Sequence, residues 1–208
     1  MPEERTMIKN GSLMIEGLFY RFSGTKGLVI CHPHSLMGGS MYNNVVETIQ
    51  ETFATEKIST MRFNFRGVGG STGSYDEGRG EQQDILAVCE YLKKSGLTEL
   101  LFAGYSFGAW VGSKVLEDQN ILFSTSIFVA PPISYFDFEW EKLKGRVDLI
   151  ICGERDPFCS LNVLTREAKK INVPLEIIRG GDHFYMGREN ELAEILKKFI
   201  VKKNIIKL

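Results

Sequence analysis

The chain alternates short, almost continuously apolar segments with longer segments whose apolar residues recur at helical spacing. The short segments are rich in β-branched and aromatic residues, which predicts strands, several of them buried on both faces of a sheet. Six such strands are predicted, at 27–31, 58–65, 99–104, 125–129, 147–152 and 175–178. Because strands that alternate with helices are typical of crossover units, we expect a mostly parallel sheet.

Helical patterns fill the intervals between these strands. Five helices are predicted, at 40–55, 80–94, 107–117, 162–170 and 189–203. Ahead of the first parallel strand, residues 13–22 form a β-rich stretch that we place as antiparallel edge strands. Residues 133–145 separate two strands without a clear helix, which leaves no room for a cap domain. We therefore expect an α/β fold, a central sheet flanked by helices, in a single domain over residues 1–208.

The charge balance narrows the choice of partners. Lys and Arg number 25 against 26 Asp and Glu, a formal net charge of −1, so no positive field is available to gather nucleic acid or an anionic membrane. The first residues are charged and lack the apolar run of a signal peptide, and no segment approaches the ~18 consecutive apolar residues that a membrane span needs. We expect a cytoplasmic protein that acts on a small molecule, and leave open whether it forms a homodimer.

A Gly-x-Ser-x-Gly pattern carries the first chemical signal. Ser106 lies in Gly104-Tyr105-Ser106-Phe107-Gly108, between a predicted strand and a predicted helix. In this context the pattern predicts a tight strand-to-helix turn that exposes the serine hydroxyl above the sheet. A serine that merely caps the helix is the alternative, but a cap would not require glycines on both sides.

A nucleophilic serine needs a base within hydrogen-bond reach, and the chain has only three histidines. His183 follows the strand predicted at 175–178, so it lies on a loop at the carboxyl end of that strand. Active sites of open α/β sheets form at this edge. We therefore predict that His183 is the base, whereas an isolated loop histidine would be read as a solvated side chain.

The base in turn needs an acid that fixes its tautomer. Asp156 follows the strand at 147–152 and precedes His183, which gives the chain order Ser, Asp, His expected of this architecture. Asp156 is our candidate, with Glu154 and Asp182 as nearby rivals and Asp137 as a more distant one. An ordinary turn residue before Pro157 is the alternative interpretation of Asp156.

Two backbone amides are predicted to stabilise the oxyanion of an acyl-transfer intermediate. The first is the N–H of Phe107, directly after the nucleophile, and the second comes from the loop after the strand at 27–31. Pro33 has no N–H, so we assign the second donor to His34, with Ser35 or Leu36 as alternatives.

No metal or cofactor is expected. The four cysteines have no metal-ligand spacing and are predicted to be reduced, mostly buried thiols. The imidazoles of His32 and His34 lack a third ligand nearby and are predicted to bond loop backbone. The glycine-rich segment 66–73 matches neither a dinucleotide fingerprint nor a P-loop, and we expect Arg66 to bond neighbouring backbone carbonyls.

With these segments in order, the chain resembles the α/β-hydrolase superfamily over nearly its whole length, most closely its small, lidless bacterial members. Their loop usually reads His-Pro-His-Pro before a Gly-Gly pair, and here it reads His32-Pro33-His34-Ser35 with Gly38-Gly39. Their next strand runs into Arg-Phe-Asn-Phe-Arg-Gly-Val-Gly-x-Ser, which matches residues 62–71. Relatives in this group include dienelactone-hydrolase-like proteins, although a dienelactone hydrolase would carry cysteine where this chain has Ser106.

The motifs and the resemblance together predict a serine hydrolase of carboxylic esters or thioesters of small acyl groups, acting through an acyl-enzyme. Without a cap, the pocket is expected to be shallow and lined by Tyr105, Phe136, Phe158 and Phe184. A binding or scaffold protein that keeps the fold without catalysis is one alternative. An acyltransferase or peptidase with the same three residues is another, because it differs only in acceptor or leaving group.

Overall fold

Eight strands pair into one sheet in the computed structural model, which describes residues 2–118 and 123–205. The strands are β1 (Glu4–Asn10), β2 (Leu13–Tyr20), β3 (Lys26–Cys31), β4 (Ser59–Phe63), β5 (Glu99–Tyr105), β6 (Thr125–Val129), β7 (Leu149–Gly153) and β8 (Leu175–Ile178). Their order across the sheet is β1-β2-β4-β3-β5-β6-β7-β8. The β1–β2 and β2–β4 pairs are antiparallel, and all other pairs are parallel.

Helices cover both faces of the sheet. They are α1 (Asn44–Thr55), α2 (Arg79–Lys94), α3 (Phe107–Glu117), α4 (Leu161–Lys170) and α5 (Glu189–Lys202). Apolar side chains of α1 and α5 pack on one face, and those of α2, α3 and α4 pack on the other. None of these five helices has the length and apolarity needed to span a bilayer.

The β3 strand shows why the central strands read as continuous apolar runs. Successive side chains of a strand point to opposite faces. Val29 and Cys31 therefore pack with α2 to α4, whereas Leu28 and Ile30 pack with α1 and α5. Since helices bury both faces, neither set of positions can be polar without a partner.

The predicted α/β architecture is confirmed. All six predicted core strands and all five predicted helices are present, within a few residues at each end. Helix α1 begins at Asn44 rather than at residue 40, because the Asn43 side chain caps it by accepting a 3.0 Å hydrogen bond from the Val45 N–H. The β6–β7 connection contains only a short 3₁₀ turn, Trp140–Leu143, and no cap domain.

One strand was not predicted. β1 lies at the edge of the sheet and pairs only with β2, so most of its side chains face solvent. Only Ile8 is buried, at 2% exposure, and the segment therefore lacks a strong apolar alternation. The β-rich stretch predicted as edge strands at 13–22 is the single strand β2, which pairs with β1 and β4.

Candidate active site

Ser106 occupies a strained turn between β5 and α3. Its backbone has φ 53° and ψ −120°, a combination that a residue with a Cβ rarely adopts and that costs about 1–3 kcal/mol. Hydrogen bonds on both sides hold it there: its N–H donates to the Val129 carbonyl at 2.9 Å, and its own carbonyl accepts from the Ala109 N–H at 2.9 Å. The turn lifts the Ser106 side chain to the carboxyl end of the sheet.

Glycines on either side allow the close approach that this turn requires. A Cβ on Gly104 would lie 2.6 Å from the Ala109 Cα, and one on Gly108 would lie 2.6 Å from the Cys31 carbonyl oxygen. Real Cβ atoms are not found at such distances from backbone atoms. Both glycines of the sequence pattern are therefore needed to pack α3 against β5 and β3.

The structure brings His183 between Ser106 and Asp156. The His183 Nε2 atom lies 2.9 Å from the Ser106 Oγ, and its Nδ1 atom lies 2.8 Å from the Asp156 Oδ2. A carboxylate only accepts hydrogen bonds, so Nδ1 carries the proton of the neutral ring and Nε2 is free to accept from the serine hydroxyl. The three side chains come from the loops after β5, β7 and β8 and form one continuous hydrogen-bonded chain.

Asp156 is held in place from two directions. It is buried, at 6% exposure, and its Oδ1 atom accepts a 2.8 Å hydrogen bond from the Phe158 N–H. Its Oδ2 atom, which faces His183, also accepts a weak contact from the Cys152 thiol at 3.9 Å. One oxygen is thereby fixed by backbone while the other remains directed at the imidazole.

The three rival carboxylates lie elsewhere. The Glu154 side chain is exposed and accepts from the Gly180 N–H at 2.7 Å. Asp182 accepts from two backbone N–H groups of its own loop. Asp137 is exposed, and its backbone carbonyl rather than its carboxylate binds Trp110.

Aromatic side chains enclose the imidazole of His183, which is 4% exposed. Phe158 lies against it with a centroid distance of 4.4 Å, and Tyr105 lies at 5.5 Å. The Tyr105 hydroxyl also donates a 2.9 Å hydrogen bond to the His183 backbone carbonyl. Tyr105, the residue before Ser106, thus holds the backbone of His183 in the loop after β8.

The loop after β3 turns tightly around His34. The His34 carbonyl accepts from the N–H groups of Met37 and Gly39, both at 3.0 Å, and the His34 Nδ1 atom accepts from the Leu36 N–H at 3.2 Å. The Leu36 N–H is therefore already engaged. Within residues 2–118 and 123–205, the N–H groups of His34 and Phe107 have no protein acceptor, and their two side chains pack at a centroid distance of 4.7 Å.

Arg62 in β4 and Asn64 just after it clamp the end of this loop. The backbone N–H of Met41 donates to the Asn64 Oδ1 at 2.8 Å, and the Met41 carbonyl accepts from the Arg62 Nη1 at 2.9 Å. Asn64 is itself oriented by Glu16, whose Oε2 accepts from the Asn64 amide at 2.9 Å. Both polar groups of the buried Met41 backbone are thus fixed to the sheet.

The Glu16 carboxylate is the anion at the centre of this clamp. Burial opposes its ionisation, but hydrogen bonds from the Gly70 N–H, the Asn64 amide and the Arg5 guanidinium outweigh burial and lower the pKa of Glu16 below its ordinary value. Glu16 is therefore a charged, fully engaged acceptor that fixes the orientation of the Asn64 side chain.

His32 ties the start of the same loop to the segment after β4. The Phe65 N–H donates to its Nε2 atom at 3.0 Å, so the ring proton lies on Nδ1, which donates to the Pro33 carbonyl at 2.6 Å. Burial lowers the pKa of His32 to about 4, although the bond to Pro33 favours the charged form. Burial also lowers the pKa of His34. As predicted, both imidazoles bond loop backbone.

A cavity of about 600 Å³ opens beside Ser106 and His183. Its wall is built from the loops after β3, β5, β6, β7 and β8. The lining residues are Pro33, His34, Met37, Gly38, Gly39, Asn43, Tyr105, Ser106, Phe107, Pro132, Tyr135, Phe136, Phe158, His183 and Phe184. All four aromatic residues predicted to line the pocket are among them.

Comparison with known proteins gives the family. A family profile described as an alpha/beta hydrolase domain matches residues 28–201. The chain belongs to the α/β-hydrolase family. An alpha-beta serine hydrolase homologue from Coxiella burnetii is 34% identical, has a TM-score of 0.86, and the match covers 96% of this chain and 98% of that one. An α/β serine hydrolase without a lid from Xanthomonas campestris is 26% identical, with a TM-score of 0.85 and coverage of 97% and 95%.

A relative known from its sequence also matches most of this chain. An uncharacterized protein from Rickettsia prowazekii is 27% identical over 201 residues, which is 90% of this chain and 84% of the relative. The match therefore extends over most of both chains.

Sequence reasoning missed part of what supports this hydrolase site. The Arg62 and Asn64 clamp was not predicted, although two polar residues at alternate positions of a buried strand are a signal that their side chains need partners. The prediction for Arg66 was wrong. Its guanidinium binds the Asp84 carboxylate of α2 at 2.8 Å instead of backbone carbonyls. This bond raises the pKa of Arg66.

The cysteines of this α/β hydrolase agree with the thiol prediction. All four, Cys31, Cys89, Cys152 and Cys159, are free and buried. Burial raises the pKa of Cys89 to about 12, and a hydrogen bond with Cys159 raises the pKa of Cys152. A protonated thiol is a poor nucleophile, so Cys89 and Cys152 are not expected to act as nucleophiles at neutral pH.

Proposed function

We propose that this α/β hydrolase is a serine hydrolase that cleaves carboxylic esters or thioesters of small acyl groups through an acyl-enzyme on Ser106. The observation that carries the proposal is the hydrogen-bonded chain from Asp156 through His183 to Ser106, with separations of 2.8 and 2.9 Å. A serine hydroxyl needs a base at this distance to become a nucleophile at neutral pH.

The acylation step uses all three side chains. The Ser106 Oγ attacks the acyl carbon while its proton passes to the His183 Nε2, and the carbonyl π electrons move onto oxygen. Asp156 keeps the Nδ1 proton on the imidazole and stabilises the positive charge that develops on the ring. His183 then gives the Nε2 proton to the leaving alcohol or thiol as the carbon–oxygen or carbon–sulfur bond breaks.

The oxyanion formed in this step needs two donors. The N–H groups of Phe107 and His34 support this role because neither has an acceptor in the described part of the protein. The Ser35 N–H likewise has none there and stays an alternative, whereas the Leu36 N–H already donates to the His34 imidazole. Loss of one oxyanion donor typically costs about 3–4 kcal/mol of transition-state stabilisation. Water then attacks the acyl carbon as His183 takes its proton, and the bond between the Ser106 Oγ and the acyl carbon breaks as His183 returns that proton to the serine, which releases the acid. No step needs a metal or an organic cofactor.

Active-site labelling tests the proposal directly. A fluorophosphonate probe should label the protein at one site per chain, and Ser106→Ala should abolish labelling and hydrolysis of p-nitrophenyl acetate together. Ser134→Ala is the matched control, because Ser134 is an exposed serine next to cavity residues but outside the hydrogen-bonded chain. A native protein that neither reacts with the probe nor hydrolyses any ester or thioester would instead support the scaffold alternative.

A further inference from the structure

Two groups of packed aromatic side chains form walls of the cavity beside Ser106. In the first group Phe158 packs against His183 at 4.4 Å, and Tyr135 packs against Phe158 at 5.4 Å. In the second group Phe136 packs against Phe107 at 5.8 Å. Ring surfaces therefore extend from the catalytic base and from the nucleophile turn towards the mouth of the cavity.

No charged side chain belongs to these walls. Among the described residues that line the cavity there is no Asp, Glu, Lys or Arg. A carboxylate or phosphate moved from water into such a space loses its hydration without gaining an ion pair, which is strongly unfavourable. The cavity therefore selects against anionic groups on the bound part of a substrate.

The mouth of the cavity is also apolar. Two of its lining residues, Met37 and Tyr135, are 73% and 69% exposed, and Phe184 is 52% exposed. Leu36, the neighbour of Met37, is 71% exposed. Contiguous exposed apolar side chains usually mark a binding surface. An apolar group larger than a short acyl chain can thus remain in contact with protein up to the rim.

The size of the cavity also favours an apolar group larger than a short acyl chain. Ligand pockets of about 300–1,000 Å³ hold molecules of drug size, and this one measures about 600 Å³. An acetyl group would leave most of the aromatic wall uncovered. A planar ring fits such walls well, because aromatic pairs gain about 0.5–1.5 kcal/mol beyond the burial of their apolar area.

We infer that the natural substrate is an uncharged ester that carries an aromatic ring, bound between the Phe107–Phe136 and Phe158–Tyr135 walls. This inference rests on the proposed hydrolase function and deepens it by naming the substrate class. Thioesters of anionic carriers, whose phosphates find no cation among the lining residues, are disfavoured on the same physical ground.

Matched pairs of esters test the inference. Methyl phenylacetate and benzyl acetate are isomers that place the ring on the acyl side or on the alcohol side. Their saturated counterparts, methyl cyclohexylacetate and cyclohexylmethyl acetate, keep the ring size but lose its planarity and π surface. Each kcat/KM is divided by the rate of the same ester with hydroxide, which removes differences in intrinsic reactivity.

We expect at least one aromatic ester to exceed its saturated counterpart by about tenfold, equivalent to about 1.4 kcal/mol. Methyl (4-carboxyphenyl)acetate should be hydrolysed about tenfold more slowly than methyl phenylacetate, because its added carboxylate enters an uncharged wall. If each aromatic ester is hydrolysed at the same corrected rate as its saturated counterpart, the inference is overturned. Equal rates with and without the carboxylate would overturn its claim that the substrate is uncharged.

Substitutions at two tyrosines test where the aromatic ring of the substrate binds. Tyr135→Ala should reduce the aromatic preference about threefold, since Tyr135 forms part of the wall. Tyr42→Ala is the control, because Tyr42 is an exposed aromatic residue that does not line the cavity and packs over Arg62 at 5.5 Å. If both variants keep the full preference, the ring does not bind at this wall.

The fluorophosphonate label separates failure of the inference from failure of the function. A protein that is labelled at Ser106 and hydrolyses methyl butyrate, yet shows no aromatic preference, retains the proposed function and loses the inference. A protein that is not labelled and cleaves none of these esters loses both.

Discussion

The hydroxyl of Tyr105 donates a 2.9 Å hydrogen bond to the backbone carbonyl of His183. Tyr105 directly precedes Ser106 in the chain, and the His183 imidazole lies between Ser106 and Asp156. The bond couples the end of β5 to the loop after β8, so the position of the imidazole depends on the strand that carries Ser106. Desolvation by burial raises the pKa of Tyr105, which keeps the hydroxyl a donor at any working pH.

Tyr105→Phe should therefore lower kcat by about three- to tenfold with little change in KM. It should also cost about 1–3 kcal/mol of unfolding free energy, because the buried His183 carbonyl loses its donor. Tyr185→Phe is the matched control, since the Tyr185 hydroxyl donates to the Ile151 carbonyl at 3.4 Å and does not hold the base. Steady-state kinetics and urea unfolding of both variants measure the two effects. Equal losses of kcat in both would show that Tyr105 has no special role.

Asp156→Asn tests the assignment of the acid. An amide cannot stabilise the protonated imidazole and can favour the wrong tautomer, so kcat should fall about 10³- to 10⁴-fold while the fold is kept. Glu154→Gln, at the exposed rival that binds the Gly180 N–H, should retain activity within about twofold. Hydrolysis of p-nitrophenyl acetate by both purified variants is the measurement. A large loss in Glu154→Gln with a small one in Asp156→Asn would reverse the assignment.

Asn64→Ala tests whether the clamp on Met41 serves the reaction as well as stability. Without the Asn64 amide, the loop that carries His34 is held less firmly, so kcat should fall about tenfold with a smaller change in KM. Ser71→Ala is the control, because the Ser71 hydroxyl binds the Asn64 carbonyl and the Glu16 N–H but does not contact Met41. We expect both variants to lose about 1–3 kcal/mol of stability. Only Asn64→Ala should lose activity at temperatures where both remain folded.

The buried His32 gives the protein a stability that depends on pH. Its pKa is about 4 in the folded protein and about 6.5 ordinarily, so between these values the unfolded chain binds a proton that the folded one does not. Unfolding free energy should therefore fall as the pH is lowered from 6.5 to 4, by up to about 3 kcal/mol. His32→Gln, which cannot titrate, should lack this part of the fall. Urea unfolding across the range measures it, and parallel pH profiles for the two proteins would contradict the prediction.

Glu16 acts at the lower end of the same pH range and in the same sense. Its pKa is lowered in the folded protein, so its contribution is present above its ordinary pKa and is lost as the pH falls through the lowered value. The decline due to His32 therefore begins at a higher pH than the decline due to Glu16, and the two are separable in a stability profile.

Local patterns in the sequence were enough to predict the core of this fold. Strands β3 to β8 are rich in apolar residues and the helices carry regular apolar stripes, so each of these elements can be recognised from its own segment of sequence. β1 was missed because it gains its structure from pairing with β2 and buries little more than Ile8. The residues of β1 therefore show little of the apolar alternation that burial against a hydrophobic core would require.

Side-chain partners far apart in the chain were harder to predict than backbone elements. The site residues were proposed because Ser106, Asp156 and His183 each follow a strand at the same edge of the sheet. The partner of Arg66 could not be identified in this way, since Asp84 lies in the middle of α2, where an acidic residue is usually a solvated one. Only the packing of α2 against the sheet makes that carboxylate fully buried.

Part of the cavity wall belongs to a connection of the chain that carries none of Ser106, Asp156 and His183. Pro132, Tyr135 and Phe136 come from this segment, between β6 and β7. Insertions or exchanges in this segment can reshape what the protein accepts while leaving the proton path untouched. Substrate preference and the hydrogen-bonded side chains can therefore be varied separately, and retargeting the protein by transplanting one loop is a realistic design route.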